Sequence, residues 1–113
     1  MIFIDTSSNP IKLIFTNNVN HDTSLPYTII FQGLADNSEI ILDNQINLSA
    51  SPFRFLEFDI NPSVFNSINT SQQLRIILYD SNYNIIADEL GVFKPTYTPK
   101  SFLNSNETRK FFD

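Results

Sequence analysis

The sequence predicts an all-β chain folded as one sandwich or barrel of about seven strands, and three observations carry that expectation. Short β-branched and aromatic segments are separated by clusters of Asn, Asp, Ser and Pro, which is the pattern of strands broken by turns. Apolar residues recur at every second position inside those segments, and helical periodicity is nearly absent. The 113 residues support one core and not two, because a chain of this size buries roughly 60 to 70% of its unfolded surface.

The candidate strands, in order, are residues 2–4, 11–16, 27–32, 39–42, 53–60, 74–79 and 85–93. In the second, Ile11, Leu13 and Phe15 alternate with Lys12, Ile14 and Thr16; in the third, Tyr27, Ile29 and Phe31 alternate with Thr28, Ile30 and Gln32. Leu56, Phe58 and Ile60 oppose Phe55, Glu57 and Asp59, and Leu74, Ile76 and Leu78 oppose Arg75, Ile77 and Tyr79. Successive strand side chains point to opposite faces, so the charged members mark the outward face and each strand contributes about three residues to a shared core. The outward set still includes Ile14, Ile30 and Ile77. That is more apolar surface than a fully solvated sheet carries, and it predicts that something covers part of one face.

Between the strands, residues 80–84 (Asp80, Ser81, Asn82, Tyr83, Asn84) read as a hairpin turn in which Asp and Asn take left-handed backbone angles at little cost. Asn carries this duty because the chain has two Gly against fourteen Asn. Asn61 followed by Pro62 reads as the cap and first position of a single helical turn, with Val64, Phe65 and Ile68 on one side. Such a turn suits the passage from one sheet to the other.

After Phe93 the character changes. Residues 94–113 hold the cations Lys94, Lys100, Arg109 and Lys110 against Glu107 and Asp113, so this stretch is +2 and residues 1–93 are −7, within a total of −5. Pro95 and Pro99 end the last strand, and Tyr97, Phe102, Leu103, Phe111 and Phe112 are interspersed with the cations. A solvated tail has no need of those side chains. The expected organisation is therefore a sandwich over 1–93 and an extended C-terminal arm over 94–113. The arm's expected partner-binding residues are Lys94, Tyr97, Lys100, Phe102, Leu103, Arg109, Lys110, Phe111 and Phe112, each fully buried ring or leucine contributing ~1.5 to 3 kcal/mol.

Several kinds of chemistry find little support in the residues. Without Cys there is no disulfide, thiolate metal site or cysteine nucleophile, and His21 is the one imidazole. The negative balance argues against nucleic-acid binding, which rests on clustered Lys and Arg. No apolar run reaches the ~18 residues of a membrane-spanning helix, and no basic region precedes the apolar residues after Met1, so neither a span nor a secretory signal is expected. His21, Asp22 and Ser24 are the residue types of a hydrolase triad, yet three neighbours in a polar turn rarely aim at one point, and a solvated loop is the better account. Asp80, Asn82 and Asn84 match the opening of a calcium loop, which then fails at Ile85, where Gly is required, and at Gly91, where a bidentate Glu belongs. Glu57 and Asp59 lie ~7 Å apart on one strand face, but paired catalytic carboxylates come from different elements lining a cleft. Asn47, Asn69 and Asn106 each open a glycosylation acceptor pattern that chance supplies in a chain this rich in Asn, Ser and Thr. No catalytic residue, cofactor or metal is expected.

The runs at 53–62 (FRFLEFDINP) and 74–94 (LRIILYDSNYNIIADELGVFK) together resemble small Ig-like virion proteins of tailed phages, in particular crAss-like phages of Bacteroidetes. The shared pattern is a strand, a cross-sheet turn, a strand ending in Leu-Tyr-Asp, an Asn-containing hairpin and a last strand, followed by a Tyr-rich extension. It spans about residues 11–97, and residues 74–94 are its specific part. The chain departs from it at 61–70, where family members commonly have Gly, so a longer or helical connection is expected there. The small size, the Met1 start and the Asn- and Ile-rich composition fit a gene of an AT-rich phage genome.

The resemblance implies a single Ig-like antiparallel β-sandwich and a non-enzymatic structural role in the virion, assembled in the host cytoplasm. The implied protein is an auxiliary (decoration or stabilising) capsid protein whose arm and a sheet face dock on the major capsid protein, or alternatively a neck, collar or tail ring subunit. A reading of another class is a carbohydrate-binding sandwich using Tyr83 and Tyr97 as stacking platforms. Two scattered tyrosines make a poor platform.

Overall fold

A computed structural model describes residues 1–94. Seven strands form along them: β1 (Ile2–Ile4), β2 (Ile11–Thr16), β3 (Tyr27–Gly33), β4 (Glu39–Gln45), β5 (Phe55–Ile60), β6 (Gln73–Tyr79) and β7 (Ile85–Phe93), with one 3-10 turn at Pro62–Phe65. They build a five-stranded sheet of order β1-β7-β6-β3-β4 and a two-stranded sheet β2-β5. Every pairing is antiparallel except that of β1 with β7, which is parallel and runs on to the Lys94 N–H, which donates to the Ile4 carbonyl at 2.7 Å. The strands β4-β3-β6-β7 face β2-β5 across the core, which makes a two-sheet sandwich.

The inward residues are those that alternation selects. Ile11, Leu13 and Phe15 from β2, Tyr27, Ile29 and Phe31 from β3, Leu56, Phe58 and Ile60 from β5, and Leu74, Ile76 and Leu78 from β6 are all buried in one core. Edge-on aromatic contacts link the sheets: Phe58 lies 6.0 Å from Phe15 and 5.3 Å from Tyr27, ring centre to ring centre. Phe65 stands edge-on to Phe31 at 5.0 Å and to Phe93 at 5.4 Å, so the 3-10 turn plugs one end of the sandwich. This turn starts as the Asn61-Pro62 pair requires, with the Asn61 side chain accepting from the Ser63 N–H and Pro62 where no donor is needed.

Three local differences from the sequence expectation have backbone causes. β5 begins at Phe55 and not at Phe53, because the Arg54 and Phe55 N–H groups both turn back to the Ser51 carbonyl. β4 runs beyond Leu42 because its ladder with β3 skips two residues at a bulge, Leu42 facing Ile29 and Gln45 facing Tyr27, with Asn44 at a left-handed φ of 57°. In the 80–84 hairpin the left-handed residue is Tyr83, at φ 61°, and neither Asn82 nor Asn84. Tyr83 is exposed and pays the Cβ penalty of that conformation, ~1–2 kcal/mol, which Asn largely escapes. Tyr83→Asn is therefore expected to stabilise the fold by about 0.5–1 kcal/mol, read as a rise in the thermal midpoint; an unchanged or lower midpoint contradicts it.

Candidate interaction surface

The outward side of the five-stranded sheet is assembled by strand register. Ile41 on β4 faces Ile30 on β3, and Ile30 faces Ile77 on β6, giving an apolar row across three strands. On β7 the row ends at Asp88, opposite Ile77. Tyr79 and Ile85 pair on one side of this row, and Leu90, opposite Arg75, lies on the other, followed by Val92 opposite Phe3 of β1. Phe3, Ile41, Ile85 and Leu90 are exposed, at 70, 54, 51 and 45%. Ile77, in the middle of the face, is only 7% exposed, and the accessible apolar area lies around it. Exposed apolar side chains gathered on one sheet face are a mark of an interaction surface.

Charge on this face is ordered as well. The Arg75 guanidinium grips Asp88 through two bonds, Nε to Oδ1 at 3.0 Å and Nη2 to Oδ2 at 2.6 Å, which holds the Asp88 carboxyl below the usual carboxylate range. Thr28 Oγ1 donates to Asp43 Oδ1 at 3.0 Å. Glu39 and Asp43 on β4 have no cationic partner among the described residues. The β4 side of the face is thus apolar and acidic.

Of the arm residues expected to bind a partner, Lys94 is described: it is exposed, with Nζ 3.5 Å from Asp5 Oδ2. Tyr97, Lys100, Phe102, Leu103, Arg109, Lys110, Phe111 and Phe112 lie outside the described residues. Ile14, grouped with Ile30 and Ile77 by alternation alone, belongs to the other sheet, where it is 54% exposed. Alternation missed Ile41, Ile85, Leu90 and Phe3 as companions of Ile30, because only pairing brings those strands side by side.

The other motifs find structural partners. Asp22 Oδ1 accepts from the Ser24 N–H at 3.0 Å and its hydroxyl at 2.6 Å, while His21 Nε2 meets the Tyr27 hydroxyl at 2.6 Å and His21 Nδ1 the Val19 carbonyl at 2.7 Å. His21 and Ser24 are therefore bound to different groups and are not aligned as a base and nucleophile. Burial, with Asp80 and Asp22 nearby, pushes the Tyr27 phenol up to about 12. Asp80 Oδ1 accepts from the N–H groups of Asn82 and Asn84, both at 2.9 Å, so the calcium-like residues serve the hairpin. Lys12 Nζ bridges Glu57 at 3.1 Å and Asp59 at 3.0 Å. Asn47, read as a chance acceptor site, takes the Glu57 N–H on its Oδ1 at 3.0 Å while the Leu48 N–H donates to the Glu57 carbonyl at 2.8 Å, which covers part of the free edge of β5. Tyr83 lies 6.3 Å from Tyr79 with the rings tilted by 59°.

Fold and surface together define an all-β sandwich with one apolar and partly acidic sheet face. Set against protein-family models, curated proteins and solved structures, the chain matches none.

Proposed function

We propose that the chain is a non-enzymatic interaction protein that docks on a larger partner through the outer face of the five-stranded sheet and the C-terminal arm. Following the resemblance, the setting is a tailed-phage virion, with the major capsid protein as the partner and this chain as its auxiliary protein. The observation that carries the reading is the apolar row Ile41–Ile30–Ile77, flanked by exposed Ile85, Leu90 and Phe3. Exposed aliphatic and aromatic side chains set among charged ones are found in protein interfaces. The arm adds rings and cations of the type that anchor in pockets and pair with carboxylates.

Ile41 and Ile14 are exposed to the same degree on opposite sheets, which provides a matched test. With phage particles lacking the protein, Ile41→Glu in the full chain is expected to reduce particle occupancy at least tenfold, whereas Ile14→Glu leaves it unchanged. Occupancy is read by quantitative mass spectrometry of purified particles. Equal occupancy for Ile41→Glu and the unmodified chain overturns the assignment of the face. A chain ending at Lys94 that still decorates the particle overturns the role of the arm.

A further inference from the structure

We propose that the chain carries a second recognition site, a cleft at one end of the sandwich that binds an uncharged sugar unit of a glycan. The site is separate from the sheet face and does not depend on what docks there. Thr16 pairs with Phe55, Tyr27 with Gln45 and Thr28 with Tyr79, so the loops 17–26, 46–54 and 80–84 gather at the same end of the molecule. The first two of these loops border an open cleft of about 520 Å³, whose lining includes Asn18, Val19, Asn20, Thr23 and Phe53. That volume lies within the ~300–1,000 Å³ of small-molecule sites.

The walls of the cleft are braced by the protein itself. Asn17 ties the two loops together: its N–H donates to the Arg54 carbonyl at 3.0 Å and its Nδ2 to the Pro52 carbonyl at 2.7 Å, while its Oδ1 accepts from the Val19 N–H at 3.1 Å. His21 Nδ1 donates to the Val19 carbonyl at 2.7 Å, which leaves Nε2 of the neutral ring to accept from the buried Tyr27 hydroxyl at 2.6 Å. The lone imidazole thus anchors one wall to the core. On the other wall, the turn that returns the Arg54 and Phe55 N–H groups to the Ser51 carbonyl keeps Phe53 out of β5 and leaves it 76% exposed. A site held in this way loses little binding free energy to the ordering of its loops.

The chemistry of the lining selects the ligand. Asn17 uses its carboxamide within the protein, whereas the side chains of Asn18 and Asn20 have no hydrogen-bond partner among the described residues. Each free carboxamide offers two donor hydrogens and an acceptor oxygen, a set that matches adjacent hydroxyls. Phe53 offers an exposed aromatic ring to the C–H side of a pyranose. Among the described residues no Asp, Glu, Lys or Arg lines the cleft, although residues 1–93 carry −7. A divalent cation needs carboxylate oxygens, and a phosphate or carboxylate group is gripped by cations. An uncharged ligand with one apolar side and several hydroxyls is what this lining fits.

The platform is Phe53 and not Tyr83. Tyr83 belongs to the third loop, tilts against Tyr79, and borders a different hollow together with the acids Asp43 and Asp80. Because the cleft lies at the end of the sandwich and the apolar row on its face, the chain holds a glycan and a protein partner at separate places.

The test is an array of neutral and acidic glycans probed with the full-length chain, followed by titration of the best-bound neutral oligosaccharide into isotopically labelled protein. Binding to neutral glycans is expected, with shifts of the Asn18 and Asn20 side-chain amide signals and none at Ile41. Phe53→Ala is expected to weaken binding on the order of tenfold, the scale of losing one stacked ring, with an unchanged thermal midpoint. The double substitution Asn18→Ala, Asn20→Ala is expected to weaken it as well. An array that stays blank overturns the proposal, and so does binding confined to acidic glycans. Binding that survives Phe53→Ala or the double substitution, or that is lost in Tyr83→Ala and kept in Phe53→Ala, overturns the assignment to this cleft. Ile41→Glu is expected to bind the oligosaccharide like the unmodified chain, so failure of the sheet-face reading and failure of this one are separate results.

Discussion

Replacing Phe58 by alanine is expected to lower the unfolding free energy by about 3–5 kcal/mol, a large share of the ~5–15 kcal/mol available to a small domain. Phe58 is buried on β5 and is the ring that both Phe15 of β2 and Tyr27 of β3 meet edge-on. Its removal takes away transfer energy and two aromatic contacts, and it opens a cavity between sheets that β-ladders on both sides hold apart. Phe53, five residues earlier in the same apolar run, is 76% exposed, and Phe53→Ala is expected to change stability by no more than about 0.5 kcal/mol. Urea unfolding of both variants checks the contrast. A loss below about 1 kcal/mol for Phe58→Ala contradicts the packing described.

Asp80→Ala is the second large effect, about 1–3 kcal/mol. The Asp80 carboxylate is largely buried at the end of β6, and it accepts from the N–H groups of Asn82 and Asn84 and from Asn84 Nδ2. Alanine leaves those donors without their acceptor in the one tight hairpin that joins β6 to β7. Asp80→Asn keeps one acceptor oxygen and is expected to lose less at neutral pH. Burial pushes the Asp80 carboxyl up, but the Asn84 N–H and amide and the Asn82 N–H outweigh it and hold it below the usual carboxylate range. A native value below the unfolded ~3.9 means that the contribution is fully present above about pH 4 and is lost as the pH falls through the native value. Asp5, Asp22 and Asp36, each held low by a following serine, add to the slope in the same window. Urea midpoints at pH 7 and pH 3 are therefore expected to differ less for Asp80→Asn than for the unmodified chain. Equal acid losses in the two proteins contradict the role assigned to this carboxylate.

Much of this molecule is legible in its residues. The twelve inward side chains of β2, β3, β5 and β6 follow from alternation alone, because a pleated strand has a side-chain period of two whatever it pairs with. Asn61 and Pro62 set the start of the 3-10 turn because a cap and a missing donor act within three residues. Asp80 organises its hairpin for the same reason. The surplus of outward isoleucines is legible as well, as a composition of the outward positions.

What alternation could not supply is which outward residues meet. Ile14 and Ile30 look alike in sequence, yet they lie on opposite sheets, and Ile41 joins Ile30 only because β4 pairs with β3 in that register. The parallel pairing of β1 with β7 joins residues 2–4 to residues 91–93, a contact between the two ends of the described chain that no local pattern encodes. Asn47 covers the edge of β5 from ten residues away, and the bulge in β4 and the left-handed Tyr83 arise from the closing of ladders around them. Local spacing determined the strands, their faces and the chemistry of their turns. The tertiary structure decided the partners, and with them the apolar row, because pairing and register depend on long-range packing.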